Sequence, residues 1–198
     1  MKKIAFFDFD GTITTKDTLL EVIKHQKGKI LFYTGFLLNA PTLIGLKLKM
    51  VSNQKAKERM LRYFFSGMNI AAFQQACNKF VDEVLPAMIR MDAIEEIQKL
   101  KAEGFEVVVV SASPTNWIQK WTDANGLGLI ATNLQYIDKT LSGYIDGVNN
   151  NAEEKVARIK AVYNLAEYDE IYCYGDSSGD KPMLALGTKA FYKPFRKK

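Results

Sequence analysis

The chain has 198 residues, of which 47% are hydrophobic, 12% aromatic and 25% charged, a composition that excludes a disordered or low-complexity polymer and allows one generous domain or a core domain with an insert. Its 27 basic and 22 acidic residues leave a net charge of +5, but the basic positions are dispersed, so no nucleic-acid partner is expected while an anionic small substrate is compatible. A single histidine, His25, and two cysteines, Cys77 and Cys173, exclude multi-histidine zinc sites and a disulfide framework and fit a reduced, cytoplasmic protein.

Met1-Lys2-Lys3 opens like a signal peptide, but Asp8 interrupts the apolar run at once, so no secretory segment is expected. Lys3 to Phe9 reads as a buried parallel strand ending in an acidic turn. Taken alone, Asp10-Gly11 could equally be the turn of a hairpin. From Ile13 to Pro86 no buried strand follows, and the stretch reads as several amphipathic helices. The expected organisation is therefore a core built from residues 1–13 and 87–198 and a helical cap at 14–86. Within the cap, Ile30 to Leu46 is unusually apolar and is flanked by Lys27, Lys29, Lys47 and Lys49. Thr34, Asn39, Pro41 and Thr42 interrupt it, so it is not a membrane span. A helix or helix pair packed inside the cap is expected, with peripheral contact to a membrane surface as the alternative.

Beyond the cap, a helix from Asp92 to Ala102 stops at Gly104, and Glu106 to Val110 forms a second strand around four valines. Ser113-Pro114 reads as N-cap and first-turn proline of a helix that glycine closes near Asn125-Gly126. Leu129 to Ala131 is a weaker strand, and Leu134 to Val148 a hairpin excursion. A helix from about Ala152 to Tyr163 places Val156 and Ile159 on one face; Glu170 to Tyr174 and Lys189 to Tyr192 are further strands. Strands alternating with helices give a doubly wound, parallel, Rossmann-like α/β sheet carrying an inserted helical cap.

In such a sheet ligands bind outside the carboxyl ends of the strands. Those ends carry Asp8-Phe9-Asp10-Gly11-Thr12, Ser111-Ala112-Ser113 and Gly175-Asp176-Ser177-Ser178-Gly179-Asp180. Carboxylates gathered in one crevice repel each other unless a hard cation or a shared proton compensates, and magnesium, which takes oxygen ligands and leaves room for phosphate oxygens, is the natural cation. The run Gly175 to Gly179 also matches the nucleophile elbow of serine hydrolases. No histidine follows Ser177 to take its proton, so that match is a decoy. Lys155, flanked by Glu153 and Glu154, taken alone reads as a surface lysine.

Across nearly the whole chain the sequence resembles the haloacid-dehalogenase-like hydrolases, in the phosphoserine-phosphatase-like branch with a helical cap after the first motif. Asp8-Phe9-Asp10-Gly11-Thr12 matches the family's D-x-D-x-T, Ser111 its strand-ending hydroxyl, Lys155 its lysine, and Gly175-Asp176 with Asp180 its G-D-x-x-x-D. The resemblance implies a magnesium-dependent phosphomonoester phosphatase. Asp8 would be the nucleophile, forming an aspartyl-phosphate, and Asp10 the acid and base. Metal ligands would be Asp8, Asp10 through its backbone carbonyl, Asp176 and, from behind, Asp180. Asp10, Gly11, Ser111, Ala112 and Lys155 would surround the phosphate. Asp17, with Arg59 or Arg62, would meet a small substrate such as phosphoserine. The apolar cap segment resembles instead the branch members that act on lipid phosphates at membranes. From another class, a phosphate-accepting signalling module uses similar groups, but it is shorter, lacks a cap and carries its acceptor later in the chain.

Overall fold

The computed structural model describes residues 2–48 and 50–196, and within them all side chains but that of Leu43. Five strands form one parallel sheet in the order β3-β2-β1-β6-β7, built from β1 (Lys3–Phe7), β2 (Phe105–Pro114), β3 (Gly128–Thr132), β6 (Glu170–Gly175) and β7 (Lys189–Tyr192). β1 is central because its side chains are apolar on both faces. Ile4 and Phe6 pack with Val108, Val110 and Cys173 on one side, under α6 (Glu153–Val162) and α7 (Lys181–Leu184). Ala5 and Phe7 pack with Val107, Val109 and Tyr174 on the other, beneath α4 (Met91–Ala102). That period of two fixes the register, since a slip of one residue would exchange the faces. The strand positions agree with those read from the sequence.

After β1 the chain makes an irregular turn in which Thr14 N donates to Phe9 O at 2.9 Å and Gly11 takes φ +82°. The cap follows as α1 (Thr18–Lys47), α2 (Asn53–Phe65) and α3 (Ile70–Glu83), with Asp17, Ser52 and Asn69 each capping a helix N-terminus through its side chain. Gly28, at φ +78°, divides α1 into two limbs. Thr15 N donates to Met88 O and Arg90 N to Ile13 O, each at 2.8 Å, so the two chain crossings clasp side by side. Phe65, Phe73 and Phe80 of the cap join the same apolar cluster as Phe7 and Phe9; burying each such ring contributes about 1.5–3 kcal/mol to the folded state. The hairpin of β4 (Leu134–Ile137) and β5 (Thr140–Ile145) packs on the cap, with Gly67 N donating to Leu141 O at 2.8 Å.

Two expectations need correction. Ser113-Pro114 does not start a helix: β2 runs through Pro114, a short turn of Thr115–Trp117 follows, and α5 spans only Gln119–Asn125, closed by left-handed Gly126. The Ser113 hydroxyl is drawn to Asp10 and caps nothing. Nor is Ile30 to Leu46 packed inside the cap. Phe32, Gly35 and Asn39 face inward, but Ile30 is 81% and Leu37 75% exposed. No described helix is long and apolar enough to cross a membrane. Lys49, counted among the basic flanks, lies outside the described residues.

Candidate active site

The ends of β1, β2 and β6 meet the N-terminal part of α6 and the inner faces of α1 and α2 around a cavity of about 200 Å³. A larger surface cleft, about 600 Å³ along Lys160–Ala166, has no carboxylate in its lining, so size alone does not mark the reactive place.

Lys155 is the pivot of the arrangement. It lies one turn before buried Ile159, on the face of α6 that packs on the sheet, and only 1% of it is exposed. Its Nζ donates to Asp8 Oδ1 at 2.6 Å and to Asp180 Oδ1 at 2.7 Å. The reading as a surface lysine is thereby overturned. Burial alone would depress its pKa, but the two carboxylates reverse that and raise it, so the ammonium is held charged. Burial pushes the Asp8 carboxyl up to about 7, outweighing the pull of Lys155, with Asp180 and Asp10 adding to the rise. Asp180 is also buried, yet Lys155 and the Ser177 hydroxyl and N–H hold it below the usual carboxylate range. Asp8 Oδ2 accepts from Thr12 Oγ1 at 3.1 Å, which gives the motif threonine its purpose: it fixes the rotation of the Asp8 carboxylate.

Asp8, Asp176 and Asp180 bring carboxylate oxygens within 4.8 Å of one another. The donor set fits a hard divalent cation held by Asp8 and Asp176. Asp180 Oδ1 accepts from Lys155 and its Oδ2 from the Ser177 hydroxyl and N–H and from the Asp176 N–H, so it braces the loop from behind. Gly11 makes room for Asp176, because a Cβ there would lie 2.4 Å from Asp176 Oδ2. The guanidinium of Arg196 pairs with Asp176, placing a positive group against this carboxylate. Burial raises the Asp176 carboxyl, and Arg196 partly opposes that.

The side chain of Asp10 turns away from this cluster. Its Oδ1 accepts from Thr18 N at 2.6 Å, at the first turn of α1, and its Oδ2 from Ser113 Oγ at 2.6 Å. Asp10 thus bridges core and cap and faces the cavity. Ser111 is fully buried beneath it, its Oγ accepting from Ser113 N at 2.9 Å and standing 3.5 Å from Asp10 Oδ2. Ser113 and Ala112 line the cavity. The Gly11 N–H donates to Thr14 Oγ1 at 3.3 Å.

Asp17 stands at the cavity wall, where its desolvated setting and the nearby Asp10 charge push its carboxyl up to about 6. Arg59 and Arg62 do not line this cavity. Arg59 Nε donates to Asn39 Oδ1 at 3.0 Å and Arg62 to the Tyr144 hydroxyl at 2.5 Å, on the side of α2 turned away. The cap cation in the cavity is Lys57, which sequence reasoning missed, together with Asn53 one turn earlier. Its Nζ donates to Ala112 O at 2.7 Å and Asn149 Oδ1 at 3.0 Å. Burial lowers its pKa to about 8 against the opposing pull of Asp10 and Asp17. One signal was available: Lys57 shares a helical stripe with apolar Leu61 and Phe64, an unusual place for a charge. Ser177, the decoy serine, donates to Asp180 Oδ2 at 2.7 Å, and His25 lies in the cap beside Phe80 and Glu83.

Residues 5–185 match the family model described as haloacid dehalogenase-like hydrolase. The chain belongs to this family. Protein CicA of Caulobacter vibrioides is 34% identical over 98% of this chain and 87% of that protein. A phosphoglycolate phosphatase of Thermoplasma acidophilum is 25% identical over 96% of this chain and 84% of its own length. A phosphoserine phosphatase solved as a phospho-aspartyl intermediate analogue shares the fold at TM-score 0.70 and 19% identity, covering 95% of this chain and 85% of that one. The protein is thus an enzyme of this family, a hydrolase.

Proposed function

We propose that the enzyme hydrolyses phosphomonoesters, with Mg²⁺, through a phosphoryl group carried on Asp8. The observation that supports this most is the buried Lys155, joined to both Asp8 and Asp180 beside Asp176 at the strand ends. A carboxylate oxygen of Asp8 attacks phosphorus while the ester P–O bond breaks, and the departing alkoxide takes a proton from Asp10. In the second half Asp10 removes a proton from water, which attacks phosphorus, breaks the acyl-phosphate bond and regenerates Asp8. Thr18 N and Ser113 Oγ hold the Asp10 carboxyl facing the cavity, where it would meet the leaving oxygen and then the water. Asp8, Asp176 and the Asp10 backbone carbonyl would hold the Mg²⁺, which when bound would supply positive charge against the transferring group. Lys155, with the Ala112 edge of β2, would face the remaining phosphate oxygens, and buried Ser111 would hold the end of β2 in place.

A small substrate such as phosphoserine finds Asp17 for its ammonium and Lys57, in place of the arginines, for its carboxylate. A phosphomonoester with an apolar tail is favoured by a different observation, a second cavity of about 240 Å³ that shares Asp17, Asn53 and Lys57 with the first and is otherwise lined by apolar side chains, Phe36, Leu46 and Met60 among them. The test is release of phosphate from p-nitrophenyl phosphate with Mg²⁺, with chelator, and in Asp8→Asn. Many turnovers are expected only with the metal and the native residue. A stable, stoichiometric phosphoprotein without turnover would support a signalling module instead.

A further inference from the structure

We infer that Asn151 is a further substrate-contacting residue, its side-chain amide donating from the core side of the cavity to an equatorial oxygen of the phosphoryl group. The inference rests on the phosphatase reading above and adds to it a residue that none of the sequence motifs contains. Asn151 is half-buried and borders the cavity with Asp8, Lys155, Ser177 and Asp180, and its amide has no hydrogen-bond partner among the described residues. The other side-chain donors on this wall are engaged. Ser113 gives its hydroxyl to Asp10, Ser177 gives its hydroxyl to Asp180, and Lys155 gives two of its three hydrogens to Asp8 and Asp180. A phosphoryl group presents three equatorial oxygens over which the transition-state charge is spread, and a single ammonium hydrogen cannot serve them all. The two amide hydrogens of Asn151 are free at the same wall. The donors of the cap, Asn53 and Lys57, also line the second cavity with Asp17, and Lys57 already donates to Ala112 O and Asn149 Oδ1, so their place is beside the alcohol end of a substrate.

The backbone around Asn151 directs this amide. Three asparagines run in sequence before α6, and the first two are used inside the fold. Asn149 Oδ1 accepts from Lys57 Nζ and Thr132 Oγ1, and buried Asn150 Nδ2 donates to Ser111 O at 3.0 Å and to Ile130 O at 2.9 Å. Asparagine is among the commonest helix N-caps, yet Asn151 does not cap α6. Ala152 holds the cap position instead, with no side-chain bond and at φ +53°, a conformation uncommon outside glycine. This kink sets Asn151 against the loop that follows β6. There Ala152 N donates to Gly179 O at 3.1 Å, and a Cβ on Gly179 would lie 2.3 Å from Asn151 Oδ1. The bare Cα of Gly179 thus makes room for the Asn151 carbonyl. With Oδ1 lodged there, Nδ2 is the end of the amide left for a ligand.

The experiment compares Asn151→Ala and the nearly isosteric Asn151→Asp with the native enzyme. It measures calorimetric binding of inorganic phosphate in the presence of Mg²⁺, and kcat and KM for p-nitrophenyl phosphate and methyl phosphate. In Asn151→Ala phosphate should bind about tenfold more weakly, and kcat/KM should fall by about tenfold to a hundredfold. The factor should be the same for both esters, because the contact is to the group they share. Asn151→Asp keeps the shape that fits beside Gly179 but sets a carboxylate against the phosphoryl oxygen, so its loss should exceed that of alanine. Gly179→Ala, which displaces Asn151 without altering it, should weaken phosphate binding in the same direction. Phosphate binding within about twofold of native in Asn151→Ala overturns the inference, as does a loss confined to one ester or matched by an equal loss of Mg²⁺ affinity. Should Asn151→Ala fail to fold, Asn151→Asp decides alone: native phosphate binding there overturns the inference. A native enzyme that hydrolyses neither ester defeats the phosphatase reading instead.

Discussion

Replacing Lys155 by methionine removes one charge from the centre of the site and keeps nearly the same volume. The lysine is 1% exposed and makes contacts of 2.6 Å to Asp8 and 2.7 Å to Asp180. Breaking a buried ion pair from one side typically costs about 3–5 kcal/mol, because the abandoned charge stays buried. Here two carboxylates are abandoned, and the loss is limited once one of them takes up a proton. Without added metal, Lys155→Met should therefore unfold at clearly lower urea, with a loss of about 3 kcal/mol or more. Mg²⁺ should restore part of that stability by supplying positive charge to Asp8. Catalysis should not recover with it, since the ammonium that faces developing phosphate charge is gone; kcat should fall by about 10²–10³. Urea titrations with and without Mg²⁺, paired with phosphate release at saturating substrate, measure both effects. A variant that unfolds at the native midpoint and keeps kcat within about threefold would refute the reasoning.

The raised Asp8 carboxyl, at about 7, gives a pH effect of definite sign. Below that value a proton occupies the group the cation needs, so from pH 8 to pH 6 the half-saturating Mg²⁺ concentration should rise about tenfold; a pH-independent value in metal titrations of activity would contradict this. Arg196→Ala removes a guanidinium that competes for Asp176, and since the Arg196 side of the pair is open to solvent and the pair contributes about 1 kcal/mol, half-saturating Mg²⁺ should fall by about fivefold or less. An increase would mean that Arg196 supports the site. Gly11→Ala forces a Cβ to 2.4 Å from Asp176 Oδ2 at φ +82°, so calorimetry should find Mg²⁺ binding weakened by about tenfold or more, since displacing one carboxylate ligand removes upward of about 1.4 kcal/mol; unchanged binding would show that the loop yields freely.

The parallel sheet was readable because its strands are short apolar runs that end abruptly in acidic or hydroxyl-bearing turns, and physics gives such runs little choice but burial between helices. The carboxylate cluster was readable for the same reason, since strand ends in one sheet converge. What escaped were effects decided by docking. Ser113 has every local mark of an N-cap, but the carboxylate of Asp10, brought from β1's end, competes for its hydroxyl and prevails. Lys155 was legible only through the family resemblance: by itself it sits among glutamates on an ordinary-looking helix, and the packing of α6 on the sheet is what tells its face from that of Glu153. Lys57 enters the cavity because α2 rotates Asn53 and Lys57 inward and leaves Arg59 and Arg62 outside. The segment from Ile30 is apolar on both faces, so its periodicity could not say which face the cap would cover.

Every step proposed for this site depends on Asp8 receiving the phosphoryl group. Rapid acid quench of the enzyme during turnover, followed by peptide mapping, should place a phosphoryl group on Asp8 within Lys3 to Lys16 and none in Asp8→Asn. Phosphate found on Ser177 or on any other side chain, or full turnover by Asp8→Asn, would contradict it.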